Sequence, residues 1–103
     1  MSKILVVEDD QFLGNAYKLK LTKAGFEVHV AKDGKEGLEA LESFSPHLVL
    51  LDLIMPNMDG FAFLEAKKGT PQSGIPVIVA SNLGQKEDLD SAKKLGAVDF
   101  IIK

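Results

Sequence analysis

A chain of 103 residues has room for one domain and one core, and its 46% apolar and 26% charged content is ordinary for a globular protein. Its net charge of −3, from 12 basic and 15 acidic side chains, offers no basic excess for phosphate-backbone contacts, which argues against a direct nucleic-acid partner. With no cysteine, disulfide and thiol chemistry are excluded, and the longest apolar run, 48–55, is broken by Asp52 and too short to cross a bilayer.

The chain passes from Met1-Ser2-Lys3 straight into apolar residues, without a secretory leader, so a cytoplasmic location is expected. Ile4 to Val7 is a continuous apolar run, the pattern of a strand covered on both faces. Acidic Glu8-Asp9-Asp10 follows, and Asp10 is suited to cap a helix reaching about Ala24, with Phe12, Leu13, Ala16, Leu19 and Ala24 as its apolar face. Gly25 fits the position that terminates it.

From Phe26 to Ala31 apolar and polar residues alternate, as in an edge strand. Asp33 and Glu36 have capping-box spacing at the start of a second helix, whose predicted buried stripe is Leu38, Leu41 and Phe44. Pro46 stops it. Leu48 to Leu51 forms a second fully buried strand ending at Asp52, and a loop with Pro56 leads to a helix from Asp59-Gly60 to about Lys68. After Pro71 and Gly74, Ile75 to Ala80 is a third apolar strand, with Pro76 tolerable near its start. Leu89, Ala92 and Leu95 mark a short helix ended by Gly96, and Val98 to Ile102 is the last strand before Lys103. Strands alternating with helices predict an α/β fold, a doubly wound parallel sheet with helices on both faces.

In such a sheet, ligands gather at the carboxyl ends of the strands. Glu8 and Asp9, Asp52, Ser81 and Lys103 all fall at those ends. Taken singly they are unremarkable: Asp52 reads equally well as a turn cap, and Glu8-Asp9 as a solvated acidic turn. Together they carry more weight. Two carboxylates about 4 Å apart repel by roughly 4 kcal/mol at an effective dielectric near 20, so three converging ones must take up protons or a cation. An oxygen-only ligand set favours Mg²⁺, with Mn²⁺ as the alternative. Lys103 would add a positive charge, and the Ser81 hydroxyl a hydrogen bond to a phosphoryl oxygen. His29 is expected at the surface and His47 just before a strand, neither as a ligand, and Lys18, Lys20 and Lys23 on a solvated helix face.

These residues resemble the receiver domains of bacterial two-component response regulators, over nearly the whole chain. Ile-Leu-Val-Val-Glu-Asp-Asp at 4–10 is similar to the family's first strand with its acidic pair, and Leu-Leu-Asp-Leu-Ile-Met-Pro-Asn-Met-Asp-Gly at 50–60 to its phosphorylated loop. Val-Ile-Val-Ala-Ser at 77–81 and Gly-Ala-Val-Asp-Phe-Ile-Ile-Lys at 96–103 are similar to its last two strands. The resemblance implies a five-stranded flavodoxin-like sheet of order 2-1-3-4-5. It also implies Asp52 as phosphoacceptor, Asp9 as a direct metal ligand, Glu8 as a ligand through water, and the Ile54 carbonyl as the remaining protein ligand. Asp10 would remain the helix cap. Ser81 and Phe100 would form the switch, and Lys103 would pair with the phosphoryl group.

A sensor histidine kinase or histidine phosphotransfer protein is the implied donor. The implied output is a downstream protein or an output domain, or a homodimer, with contacts around 86–100. The domain would phosphorylate and dephosphorylate itself without a turnover substrate. Asn82 stands where the family prefers a smaller residue, which would slow phosphoryl entry, and apolar Ile54 and Leu83 flank the site and would shield the acyl phosphate from water, which predicts a long-lived phosphoryl state. Receivers usually continue past this lysine into a fifth helix. The sequence therefore reads as a receiver domain, 1–103, truncated after its fifth strand, with one sheet face left exposed.

Competing functions fare worse. A flavodoxin-like cofactor binder needs a first loop that cradles phosphate, and Glu8-Asp9-Asp10 would repel it. A phosphatase with an aspartate nucleophile would place a second acid where Ile54 stands. A non-phosphorylated pseudo-receiver, acting only as an interaction module, is the alternative reading, but such modules lose a key acid or the lysine.

Overall fold

The computed structural model describes residues 2–52, 60–81 and 86–102, with side chains described for all of these except 81, 86–89 and 100–102. The element order is β1 (Lys3–Val7), α1 (Gln11–Lys23), β2 (Glu27–Ala31), α2 (Gly34–Ser43), β3 (Leu48–Leu51), α3 (Gly60–Lys68), β4 (Val77–Ser81), α4 (Lys86–Lys94) and β5 (Ala97–Ile102). All strand pairs are parallel, in the order β2-β1-β3-β4-β5. This is the flavodoxin-like α/β fold expected, with β2 at an edge.

Local chemistry sets the element ends where the sequence placed them. Asp10 Oδ1 accepts from the backbone N–H of Phe12 (2.9 Å) and of Leu13 (3.2 Å), satisfying donors that the first turn of α1 leaves open. At the other end Gly25 takes φ 99°, where an L side chain is strained. There Phe26 N donates to Leu21 O and Gly25 N to Thr22 O, the paired bonds of a Schellman cap. Asp33 caps α2 through Glu36 N at 2.8 Å, while Glu36 Oε1 reaches back to Lys32 N at 3.4 Å, one residue earlier than the capping-box spacing implied. Pro76 lies just before β4 rather than within it, its carbonyl accepting from Val49 N.

The strands alternate between two faces. Leu5, Val7, Ala31, Val49, Leu51, Val77 and Val79 point to one face, where with Ala40, Leu41, Phe63, Leu64 and Ala92 they form the buried core under α2, α3 and α4. Close approach there depends on Gly37. A Cβ at this position would meet Phe63 at 3.0 Å and Val7 at 3.0 and 3.3 Å. Leu41 is buried as predicted, whereas Leu38 and Phe44 pack only partly against the core, and Gly37 and Ala40 make the closer contact.

The opposite face carries Ile4, Val6, Val28, Val30, Leu48, Leu50 and Ile78, and α1 covers only its β1–β2 side. The rest opens into a largely apolar groove of about 260 Å³ lined by Ile4, Tyr17, Lys20, Leu21, Leu48, Leu50 and Ile78.

Here the predicted face of α1 needs correction. Phe12 is 81% and Leu19 61% exposed, and Ala16 and Ala24 are exposed too. The inward side is instead Leu13, Gly14, Tyr17 and Leu21. Buried Gly14 decides the rotation, because a Cβ there would come within 3.1 Å of Val30 Cγ1.

Lys67, in α3, is 5% exposed. Its ammonium donates to Ser73 O at 2.9 Å, tying the following turn to the helix, and burial lowers its pKa from the ordinary lysine value. At the amino edge of the sheet, His47 Nδ1 accepts from Lys3 N at 2.9 Å and His47 N donates to Lys3 O at 2.8 Å. His29 stacks obliquely on Phe44 with ring centroids 5.5 Å apart. Both histidines are exposed; His47 sits at the amino edge of the sheet, away from the carboxylates, and His29 at the middle of β2.

Candidate functional site

β1 and β3 are neighbours in register, with Val7 opposite Leu51, so the residues that follow them emerge side by side at the carboxyl edge. The ladder continues past both strands. Glu8 N donates to Ala31 O at 2.9 Å and Asp52 N to Val7 O at 2.9 Å, which fixes both backbones before any side chain is considered. Glu8 (3% exposed) and Asp52 (7%) are nearly buried, while Asp9 is exposed. One carboxylate oxygen from each of Glu8, Asp9 and Asp52 lies within 4.8 Å of the others.

Asp10 stands apart from this group. Its carboxylate is occupied as the α1 cap, and its N–H donates to Glu8 Oε2 at 3.3 Å, which helps orient Glu8. The sequence assignment of Asp10 as cap agrees with this geometry.

The group is chemically suited to a hard divalent cation. Bonds of about 2.1 Å place opposite oxygens of an octahedral Mg²⁺ site about 4.2 Å apart, so a trio spanning 4.8 Å closes with small side-chain rotations or through a bridging water. The donors are all carboxylate oxygens, and two of the three residues are shielded from water, so their mutual repulsion is large without a counter-charge.

Beside the trio lies a cavity of about 330 Å³ lined by Glu8, Asp9, Gln11, Asn15, Lys32 and Glu36 among others. Lys32 and Glu36 escaped the sequence reading. The available signal was position, since Lys32 directly follows β2 and therefore reaches the same sheet edge.

Of the other expected site residues, Ser81 ends β4, two positions beyond Val79, the partner of Leu51, and it pairs with Ile102 of β5. Its backbone is thus at the same edge as Asp52. Phe100 lies on β5 opposite Val79. The side chains of Ser81 and Phe100, and Ile54, Asn82, Leu83 and Lys103 altogether, lie outside the described residues. Among those described, no helix is long and apolar enough to cross a membrane.

Comparison with known proteins agrees with this geometry. The family model of the response regulator receiver domain matches residues 4–103. A probable transcriptional regulator, ycf27, of Cyanophora paradoxa is 36% identical over 98% of the chain, which spans 41% of that relative's length. Among solved structures, the chemotaxis protein CheY4 of Vibrio cholerae superposes with a TM-score of 0.95 at 29% identity, covering 100% of this chain and 87% of that one. The BeF3-activated N-terminal receiver domain of Klebsiella pneumoniae RstA gives 0.91 at 30% identity, covering 99% and 86%. With its fold, its acidic edge and its motifs all matching, the chain belongs to the response regulator receiver domains of two-component signalling, a family in which phosphorylation and Mg²⁺ binding are general.

Proposed function

We propose that this domain accepts a phosphoryl group on Asp52 from a protein phosphohistidine. The observation that carries the reading is the convergence of Glu8, Asp9 and Asp52 within 4.8 Å at the carboxyl edge of the sheet. An Asp52 carboxylate oxygen attacks phosphorus as the bond to the donor imidazole nitrogen breaks, leaving an acyl phosphate on Asp52 and an unphosphorylated imidazole on the donor. Water later cleaves the acyl phosphate to inorganic phosphate and restores the carboxylate, so the domain processes its own phosphoryl group and has no turnover substrate.

Asp9 and Asp52 would hold the cation directly and Glu8 through water, with the Ile54 carbonyl as the further protein ligand. Bound there, Mg²⁺ neutralises charge on the carboxylates and on the incoming phosphoryl oxygens. The near-burial of Asp52 limits the access of water to the acyl phosphate once formed. Ser81 and Lys103 are assigned to the phosphoryl oxygens, and Ser81 and Phe100 to the switch that changes a protein-binding surface. The donor is a sensor histidine kinase or a histidine phosphotransfer protein.

Beryllofluoride, which mimics a phosphoryl group on a carboxylate, tests the site without a donor. The expected result is protein-bound ¹⁹F resonances that require Mg²⁺ and vanish in Asp52→Asn. Bound fluoride that persists in the Asn variant would assign the chemistry elsewhere. No bound fluoride at saturating Mg²⁺ would favour an interaction module that is never phosphorylated.

A further inference from the structure

The cavity beside the acidic trio is lined, among the described residues, by one basic side chain, Lys32, and by three carboxylates, those of Glu8, Asp9 and Glu36. The place of Lys32 follows from the sheet. Val7 pairs with Ala31, and both bury their side chains in the core. The ladder runs one residue further, with Glu8 N donating to Ala31 O at 2.9 Å, so Lys32 stands opposite Glu8. In-register residues of neighbouring parallel strands send their side chains to the same side, and both of these line the cavity.

The backbone of Lys32 is held as well. Its N–H donates to Glu36 Oε1 at 3.4 Å, and the next residue, Asp33, caps α2 through Glu36 N. The side chain therefore starts from a fixed point, and its flexible four-carbon stem gives the ammonium a choice of positions along the cavity. A solvated lysine is the ordinary reading of an exposed residue after an edge strand. Its neighbours set this one apart. Glu8 and Asp52 are only 3% and 7% exposed, so water and salt screen their charge poorly.

We propose that Lys32 is a tethered counter-ion of the acidic site, which competes with the divalent cation and lowers its affinity. The inference rests on the cation site proposed above and concerns a residue outside its ligand set. Without metal, the ammonium offsets part of the repulsion among Glu8, Asp9 and Asp52. When a divalent cation takes that place, like charges face each other across the cavity, and the ammonium turns to solvent or to Glu36. The cation therefore binds against a resident positive charge, more weakly than three carboxylates alone would hold it. Occupancy of the site is thereby kept responsive to the free Mg²⁺ concentration.

The test is a Mg²⁺ titration of the metal-free protein, followed through the amide resonances of Glu8, Asp9 and Asp52, beside Lys32→Met, Lys32→Arg and Lys35→Met. Lys35, exposed in the first turn of α2, serves as the control for a lysine away from the cavity. Lys32→Met should bind Mg²⁺ about three- to tenfold more tightly at low ionic strength, and the gain should shrink toward about twofold at about 0.2 M salt. Mn²⁺ should gain by the same factor, because a charge effect does not depend on the choice of divalent ion. Lys32→Arg and Lys35→Met should match the parent within about twofold. Stability gives an independent readout. In chelator, Lys32→Met should melt a few degrees below the parent, and saturating Mg²⁺ should close or reverse that gap. An unchanged Mg²⁺ affinity in Lys32→Met, a gain confined to one metal, or an equal stability gap with and without Mg²⁺ would each overturn the proposal and leave the cation site standing. A parent that binds no Mg²⁺ would overturn both.

Discussion

The two faces of the sheet differ more than the strand sequences imply. Under α2, α3 and α4, Leu5, Val49, Leu51, Val77 and Val79 are fully buried, and Gly37 lets helix and sheet approach closely. On the other face, Leu48, Leu50 and Ile78 are half-buried beside an apolar groove that α1 does not reach across. Alternate residues of one strand therefore serve different ends. The closed face carries stability and holds the carboxyl edge rigid, while the described residues of the α1 face are packed less tightly.

This comparison is broken or sharpened by substitution. Leu51→Ala and Phe63→Ala on the closed face should each cost about 3–5 kcal/mol, read from denaturant midpoints, because close-packed cavities relax poorly. Leu50→Ala, one residue from Leu51 but half-buried, should cost about 1 kcal/mol or less. Equal losses at 50 and 51 would erase the distinction between the faces.

Two helix glycines provide a finer contrast. Gly37→Ala must push aside both Phe63 and Val7 and should destabilise by about 1–3 kcal/mol despite alanine's helix preference. Gly14→Ala meets only Val30 Cγ1, on the looser face, and the gain of about 1 kcal/mol in helix propensity should nearly offset that contact. Thermal melts of the two variants measure the difference.

The closed side also contains a pH-sensitive element. Lys67 has its pKa lowered by burial, so the unfolded chain binds the proton more readily over the interval below the ordinary value of 10.5. Stability should therefore rise with pH through that interval. Lys67→Met should flatten this part of the profile relative to the parent. The smallest effect is expected at Ser45, a non-glycine residue at φ 51° in the turn after α2, where Gly should raise stability by a few tenths of a kcal/mol.

Much of this was legible in the sequence. The apolar runs before Glu8 and Asp52 read as strands buried on both faces, which holds for β1 but not for β3, whose Leu48 and Leu50 are half-buried, and period-two alternation at 26–31 gave an edge strand. Asp10, Gly25 and Asp33 act through local rules that operate within a few residues, so their caps could be read directly. The burial face of α1 could not. Phe12-Ala16-Leu19 and Leu13-Tyr17-Leu21 are both apolar stripes at helical spacing, and periodicity does not say which meets the sheet. Gly14 against Val30 decides it, a contact between residues far apart in the chain. The acidic site shows the same division. Its residue types were visible, but the juxtaposition of Glu8 and Asp52 depends on the β1–β3 register, and the place of Lys32 and Glu36 at its rim on how β2 pairs.

The most direct test of the central claim is the intact mass of the protein after incubation with acetyl phosphate and Mg²⁺. The account predicts a single phosphoryl adduct that requires the metal, is lost in Asp52→Asn, and survives in Phe12→Ser. No adduct under those conditions, or one that remains in Asp52→Asn, would contradict it.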